Sequence, residues 1–344
     1  MPISSDLIDS FRRVGVELLE QARVFESLEV EGVEWVPVEG FSPSIVAGVD
    51  SSRQHETYRG FIVYAVQGYS LSMAPDGGLI AGVGGADAGY LSVVEASRVG
   101  VRVARDALVS SVSKTLEVKL LSRVAGDSGA KVALLDGSYE SFLGPILVFS
   151  GELRKAVPEL AGRIRGLWEE RVKLLDRLAG LARLAFISKS SSKSTLVERG
   201  GVTVRLKESE VRVSDFIVVK RVIDSVKPRT AGFIWYPNPY QELRKGGDEV
   251  GRVASRLGRW YTLTYILLHP AGRPYQLTIP GKLSKEEVAW IVETLKPLSP
   301  DGYPRPLSVA HHLSTLKRSE FRKLASMILP HLETGREELE RTIR

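Results

Sequence analysis

The sequence contains no cysteine. That excludes a disulfide framework, a thiolate zinc centre and a cysteine nucleophile. It agrees with a reducing, cytoplasmic setting. No run of about 18 apolar residues occurs, so no membrane span is expected. The opening Met1-Pro2-Ile3-Ser4-Ser5-Asp6 has neither a basic n-region nor an apolar h-region, so no signal peptide is expected there. No internal repeat at solenoid periods is present. What remains is an ordinary globular composition. Hydrophobic residues make up 43% and charged residues 26% of 344, enough for one large domain or two small ones. The net charge of +6 is compatible with a polyanionic partner but does not require one.

Two stretches organise the chain. The first is Ile45-Val46-Ala47-Gly48-Val49-Asp50-Ser51-Ser52-Arg53 and the second is Val132-Ala133-Leu134-Leu135-Asp136-Gly137-Ser138-Tyr139-Glu140. Each reads as a short buried strand ending on an aspartate and a polar turn, as in a sheet covered on both faces. Carboxylates at such strand ends sit where open α/β sheets place their sites. Two of them on neighbouring strands could hold a divalent cation, because hard ions want charged oxygens. Ordinary turn chemistry is the better account of either aspartate alone, and the matched pair puts the cation reading level with it.

Around these stretches, residues 6–30 carry apolar positions at helical spacing and 31–43 read as a linker. Apolar segments at 45–50, 60–73 and 79–84 read as an antiparallel meander, with Arg53-Gln54-His55-Glu56 and Asp76-Gly77-Gly78 as turns. Helices are expected over about 94–124 and 150–185, with a strand at 131–136 between them. Phe186-Ile187 leads into Ser188-Lys189-Ser190-Ser191-Ser192-Lys193-Ser194, which is either a flexible linker or a loop that contacts phosphate. Residues 214–240 mix cations with Trp235-Tyr236-Pro237-Asn238-Pro239-Tyr240, suited to stacking on bases or to a core turn. Strands are expected at 259–268 and 276–280. Ser284-Lys285-Glu286-Glu287 has capping-box spacing. A helix should begin near Leu307 after Pro304 and Pro306, placing His311 in its first turns, and the tail from 315 reads as a charged helix.

The two aspartates need further ligands. Glu117, flanked by apolar positions on the helix before Asp136, is a candidate, with Glu95 and Asp106 as competitors. His311 could add a nitrogen ligand or orient a water. Each of these residues would also be unremarked on a solvated helix.

At this point the chain resembles the NurA nuclease family, the nucleases that pair with the HerA translocase in archaea. The resemblance spans roughly residues 43–315. It rests on Gly48-Val49-Asp50-Ser51-Ser52, Leu135-Asp136-Gly137-Ser138, Ile187-Ser188-Lys189-Ser190, and Tyr303-Pro304-Arg305-Pro306-Leu307 with Ala310-His311. It implies an α/β fold: an RNase H-like mixed sheet flanked by helices, similar to the Argonaute PIWI domain, with helical N- and C-terminal extensions. The corresponding divisions are an N-terminal helical arm at 1–40, the nuclease domain at 41–318 and a C-terminal helix at 319–344. It also implies metal-binding carboxylates at Asp50, Glu117 and Asp136, with His311 as a further ligand and Tyr303 beside them. Lys189 and Arg53 would meet the DNA backbone. The activity implied is manganese-dependent (magnesium possible) with two ions: a 5′-to-3′ exonuclease on single- and double-stranded DNA and an endonuclease on single strands. The implied partners are DNA, hexameric HerA and a second copy of the chain, in DNA end resection. The chemistry is that of two-metal phosphodiester hydrolysis, with ions about 4 Å apart.

Two other functions fit parts of the same pattern. An actin- or sugar-kinase-type ATPase shares a strand, an aspartate and a hydroxyl-rich turn, and Gly82-Val83-Gly84-Gly85 would have to serve as its phosphate loop, a weak signal alone. A catalytically inert DNA-binding adaptor is the other.

Overall fold

The computed structural model describes residues 27–328 apart from Arg59, 145–150, 190–192, Glu208 and 244–246, and before residue 27 only Leu7, Ser10, Phe11, Arg12 and Val14. Strands β1 (Leu28–Glu31) and β2 (Glu34–Pro37) come first. They replace the C-terminal end of the expected N-terminal helix and the linker. Leu7, Ser10–Arg12 and Val14 are helical; the rest of that expected arm, and the tail beyond Ile328, lie outside the described residues.

The meander follows as β3 (Val46–Tyr58), β4 (Phe61–Met73) and β5 (Leu79–Ser92). Its strands are 13 to 14 residues long, well beyond the apolar runs that announced them. Arg53-Gln54-His55-Glu56 is therefore strand, not turn, and Asp50 lies within β3 rather than at its end. The polar residues continue the ladder because β4 pairs with β3 over its whole length, from Val46↔Met73 to Tyr58↔Phe61. The Gly82–Gly85 cluster is likewise strand, paired with β4, which removes the phosphate loop an ATPase would need.

Next come α1 (Val93–Ser97), α2 (Val101–Ser128), β6 (Val132–Asp136), α3 (Tyr139–Leu143), α4 (Gly151–Ala156), α5 (Pro158–Ala179) and β7 (Arg183–Ser188). The expected helix over 150–185 is thus two helices and a strand. Pro158 opens α5, since a proline fits a first turn but not a helix interior. The remainder is α6 (Thr195–Glu198), β8 (Thr203–Leu206), β9 (Ser209–Glu210), α7 (Asp215–Ser225), β10 (Gly232–Trp235), β11 (Tyr240–Glu242), α8 (Gly247–Val253), β12 (Trp260–Leu267), β13 (Tyr275–Pro280), α9 (Lys285–Leu295), α10 (Arg305–Ser314) and α11 (Arg318–Ile328). The expected capping box is present at Ser284 and Glu287. Tyr236 is buried and donates to the Leu263 carbonyl at 2.7 Å, so this part of the aromatic stretch is core.

Ten strands form one sheet in the order β2-β10-β12-β13-β7-β6-β3-β4-β5, with β11 beside β12, and β1, β8 and β9 form a small separate sheet. Within the large sheet, β3 and β6 are parallel, as are β6 and β7. The run β5-β4-β3-β6-β7, an antiparallel meander followed by two parallel strands, is the RNase H-like core. Alternation along β6 divides the interior. Ala133 and Leu135 face the cluster built with α2 and α5, whereas Val132 and Leu134 face the cluster built with α9 and α10. The sheet is covered on both faces, as the apolar runs required.

Candidate active site

The same alternation aims the two aspartates. Val46 and Leu134 both face the α9–α10 side, so Asp50, four residues after Val46, and Asp136, two after Leu134, point that way too. The parallel register pairs Val49 with Leu135, so Asp50 and Asp136 follow side by side on neighbouring strands. Gly48 makes room for what covers them. A Cβ there would come 2.8 Å from Pro306 Cβ and 2.9 Å from its carbonyl carbon. Helix α10 therefore sits directly on β3 and brings His311 over the aspartate. His311 Nδ1 lies 2.5 Å from Asp50 Oδ2, and the Ser51 amide donates to Asp50 Oδ1 at 2.8 Å.

Asp136 is held from the other flank. Its Oδ2 accepts the Lys189 ammonium at 2.7 Å and the Tyr303 hydroxyl at 3.1 Å. Farther along the same turn, Glu140 accepts the Tyr261 hydroxyl at 2.9 Å and also pairs with Lys193. Lys189 and Lys193 of the serine-lysine loop thus frame the Asp136 turn, and Ser190-Ser191-Ser192 lie outside the described residues.

Glu117 comes from the opposite face. It is buried in α2, and its carboxylate accepts the Ser51 hydroxyl, which in turn pairs with Ser113 at 2.6 Å. Lys114, one turn earlier, donates to the Ser141 carbonyl at 2.5 Å. Neither Ser113 nor Lys114 was singled out in the sequence. The signal available was their spacing of four and three residues before Glu117, which puts all three on one helix face. Arg53 alternates with Ser51 and so lies on the Glu117 side, exposed. Asp106 is exposed and paired with Arg105 and Arg102, and Glu95 lies in α1; both leave the ligand role to Glu117.

Electrostatics tie the three carboxylates together. Burial pushes Asp50 upward, the charge of Asp136 adds to this, and the His311 contact and the Ser51 amide oppose it. Burial, reinforced by Asp50 and Asp136, pushes Glu117 up to about 8 against the pull of Ser51 and Lys114. Burial and then Asp136 raise the Tyr303 phenol, which stays protonated. Carboxylates that destabilise one another in a partly buried site are what a hard divalent cation relieves. Oxygen donors with one imidazole nitrogen suit manganese or magnesium. The residues therefore fit such an ion, with one rearrangement. Among the described residues, no three Asp, Glu or His side chains stand clustered as metal ligands, and Glu117 must turn from Ser51 to join the aspartates.

The comparisons agree with this architecture. Residues 44–316 match the model of the NurA domain. The NurA nuclease from Sulfolobus solfataricus superposes with a TM-score of 0.65 at 18% identity, covering 95% of this chain and 96% of that one. NurA bound to dAMP and manganese gives 0.61 at 14% identity, covering 98% and 100%. NurA with manganese gives 0.58 at 15%, covering 96% and 99%. At such identities the likeness speaks for the fold. Among curated proteins, none matches the sequence significantly. With the NurA domain matched over most of its length, from just before β3 to just past α10, the chain belongs to the NurA family.

Proposed function

We propose that this protein is a divalent-metal-dependent DNA nuclease whose site is Asp50, Asp136, Glu117, His311 and Tyr303. One observation carries the reading. The Asp50 and Asp136 side chains lie side by side on one face of adjacent parallel strands, with His311 and Tyr303 against them. A bound divalent cation would supply Lewis acidity toward the phosphate and a water of lowered pKa. Asp50, Asp136 and Glu117 would hold it. His311 steadies the outer oxygen of Asp50 or becomes a ligand itself. Tyr303 acts as a hydrogen-bond donor rather than a base, because its phenol is held protonated. Membership of the NurA family supports the reading, as do the manganese and dAMP bound in two relatives. The finer assignment follows the family: two manganese ions, 5′-to-3′ exonuclease action on single- and double-stranded DNA, endonuclease action on single strands, a homodimer, and work with hexameric HerA in end resection. No described helix is long and apolar enough to cross a membrane.

The test is degradation of DNA labelled at either end, with manganese, magnesium, calcium or a chelator, and ATP hydrolysis assayed in parallel. Manganese should support cleavage from the 5′ end and calcium should not. Asp50→Ala and Asp136→Ala should each abolish cleavage while DNA binding persists. Full activity in either variant, or DNA binding with no cleavage by the wild type, would overturn the assignment; the second result would favour the inert adaptor. Light scattering and co-purification with HerA, each repeated after deletion of residues 1–30, test the dimer and the partner.

A further inference from the structure

Lys189, immediately after β7, is held in an unusual way for a lysine whose side chain is 41% exposed. Its ammonium donates to Asp136 Oδ2 and lies 4.9 Å from the centroid of the Tyr303 ring. The Tyr303 hydroxyl donates to that same oxygen. Tyr303 packs on Tyr275 with centroids 5.2 Å apart, and Arg273 lies over Tyr275, donating to its hydroxyl at 3.0 Å. A ladder of cation, ring, ring and cation therefore fixes the head of Lys189 beside the carboxylate. Cation–π contacts of this kind are stabilising even at exposed sites, enough to bias where the ammonium rests.

Oδ2 of Asp136 is thus contested. It already receives an ammonium and a phenol. A divalent cation on that oxygen and the ammonium would repel each other, so the lysine has to yield. Its head remains tethered over the Tyr303 ring, at the edge of the site where a phosphodiester would lie. An ammonium is a point charge suited to a phosphate oxygen. We propose that Lys189 is a catalytic residue that exchanges partners: it neutralises Asp136 until a divalent cation takes the carboxylate, then moves to a non-bridging oxygen of the scissile phosphate. The inference rests on the nuclease reading above. It assigns Lys189 two successive acceptors, rather than general attraction for the DNA backbone.

The exchange has two consequences of opposite sign. Removing the ammonium removes a competitor for Asp136, so metal should bind more tightly. It also removes a positioned charge from the transition state, so cleavage should slow. In Lys189→Met, calorimetric titration of the DNA-free protein with manganese should give a Kd about 2- to 5-fold lower than wild type, the scale of a half-exposed ion pair. Cleavage at saturating manganese should fall about 100-fold, the scale of losing one positioned donor. Lys189→Arg should keep wild-type metal affinity and part of the rate. A merely structural Lys189 would behave otherwise, because a displaced Asp136 would bind metal less well. If Lys189→Met does not fold by thermal melt, Lys189→Gln carries the same two measurements. Unchanged or weaker manganese binding, or cleavage within about two-fold of wild type, overturns the proposal. Failure of the nuclease reading looks different: the wild type would then bind no manganese that Asp136→Ala abolishes, and would cut no DNA.

Discussion

A buried carboxylate needs a reason to be there, and Glu117 has two neighbours that supply one. The hydroxyl of Ser51 holds it, and Ser113 backs that hydroxyl. An amide has the same shape and can still accept from Ser51, so Glu117→Gln should fold as well as the wild type. It should nonetheless lose most of its cleavage, because a neutral amide is a poor ligand for a hard cation. A thermal melt within about 2 °C of wild type, together with cleavage lowered about 100-fold or more, is the expected pair of results. A large loss of melting temperature with cleavage intact would make Glu117 structural. Asp50 and Asp136 were legible in the sequence because each ends an apolar run, and a strand shields such a run on both faces. Glu117 was less so. Nothing in its local pattern separates an inward acid from an outward one, and the Ser51 that holds it was read as a turn residue. Tyr303 was legible only through family resemblance, and His311 only as one candidate among others, since a proline-flanked helix start places a histidine without saying what it faces.

Elements carry the site through how closely they approach. Helix α10 presses on β3 at Gly48, where an added Cβ would meet backbone of Pro306 and the Leu307 amide nitrogen at 3.1 Å. Backbone cannot swing aside as a side chain can. Gly48→Ala should therefore cost about 1–3 kcal/mol, read as a lower denaturant midpoint. It should also slow cleavage, because α10 would lift His311 from Asp50. Unchanged stability would mean that the helix shifts freely and that the glycine is not what sets the approach. A second device lies far from the site. Burial acts to raise the pKa of Asp176 on α5, but the Arg256, Ser255 and Leu257 backbone amides more than offset it and hold the carboxyl below its ordinary 3.8. A depressed carboxyl adds stability that is present above its unfolded pKa and lost as pH falls through the folded value. Asp176→Asn should thus melt about 1–3 °C lower than wild type at pH 7, with the gap narrowing below pH 4. A gap that stays constant to pH 2 would deny the charge a role. Sequence reading found most elements but misjudged their ends. It stopped β3 at Asp50 because polar residues followed, and those residues are strand because β4 zips along them. It fused α4, α5 and β7, since charge and apolar spacing continue across Pro158. It missed β1 and β2, whose few residues become strands only by pairing with β8 and β10.

At the scale of the whole molecule, local pattern announced the meander and the strand of Asp136, and the family resemblance supplied the RNase H-like core. Local pattern also gave β12 and β13 as strands, but not β2, β10 or β11, nor the pairing that joins all five to the sheet beyond β7, because β2 meets β10 and β7 meets β13 across long stretches of sequence. Charge is a property of the same scale. A net +6 from 47 basic and 41 acidic residues is modest, so attraction for DNA should come from a few placed cations rather than from the surface at large. Each phosphate a cation neutralises contributes about −0.9 to the slope of log K against log salt on duplex DNA, and about −0.7 on single strands. A handful of contacts predicts a slope of about −3 to −5 on duplex, measured by fluorescence anisotropy with Asp50→Ala so that the DNA survives. Arg53 offers the cleaner single test, because it is exposed beside the site and is placed in no ligand role. Arg53→Ala should flatten that duplex slope by about 0.9 and weaken binding most at low salt. If instead the slope and the affinity both stay as they were, Arg53 meets no phosphate, and the path of the DNA runs along the α9–α10 side of β3 rather than the α2 side.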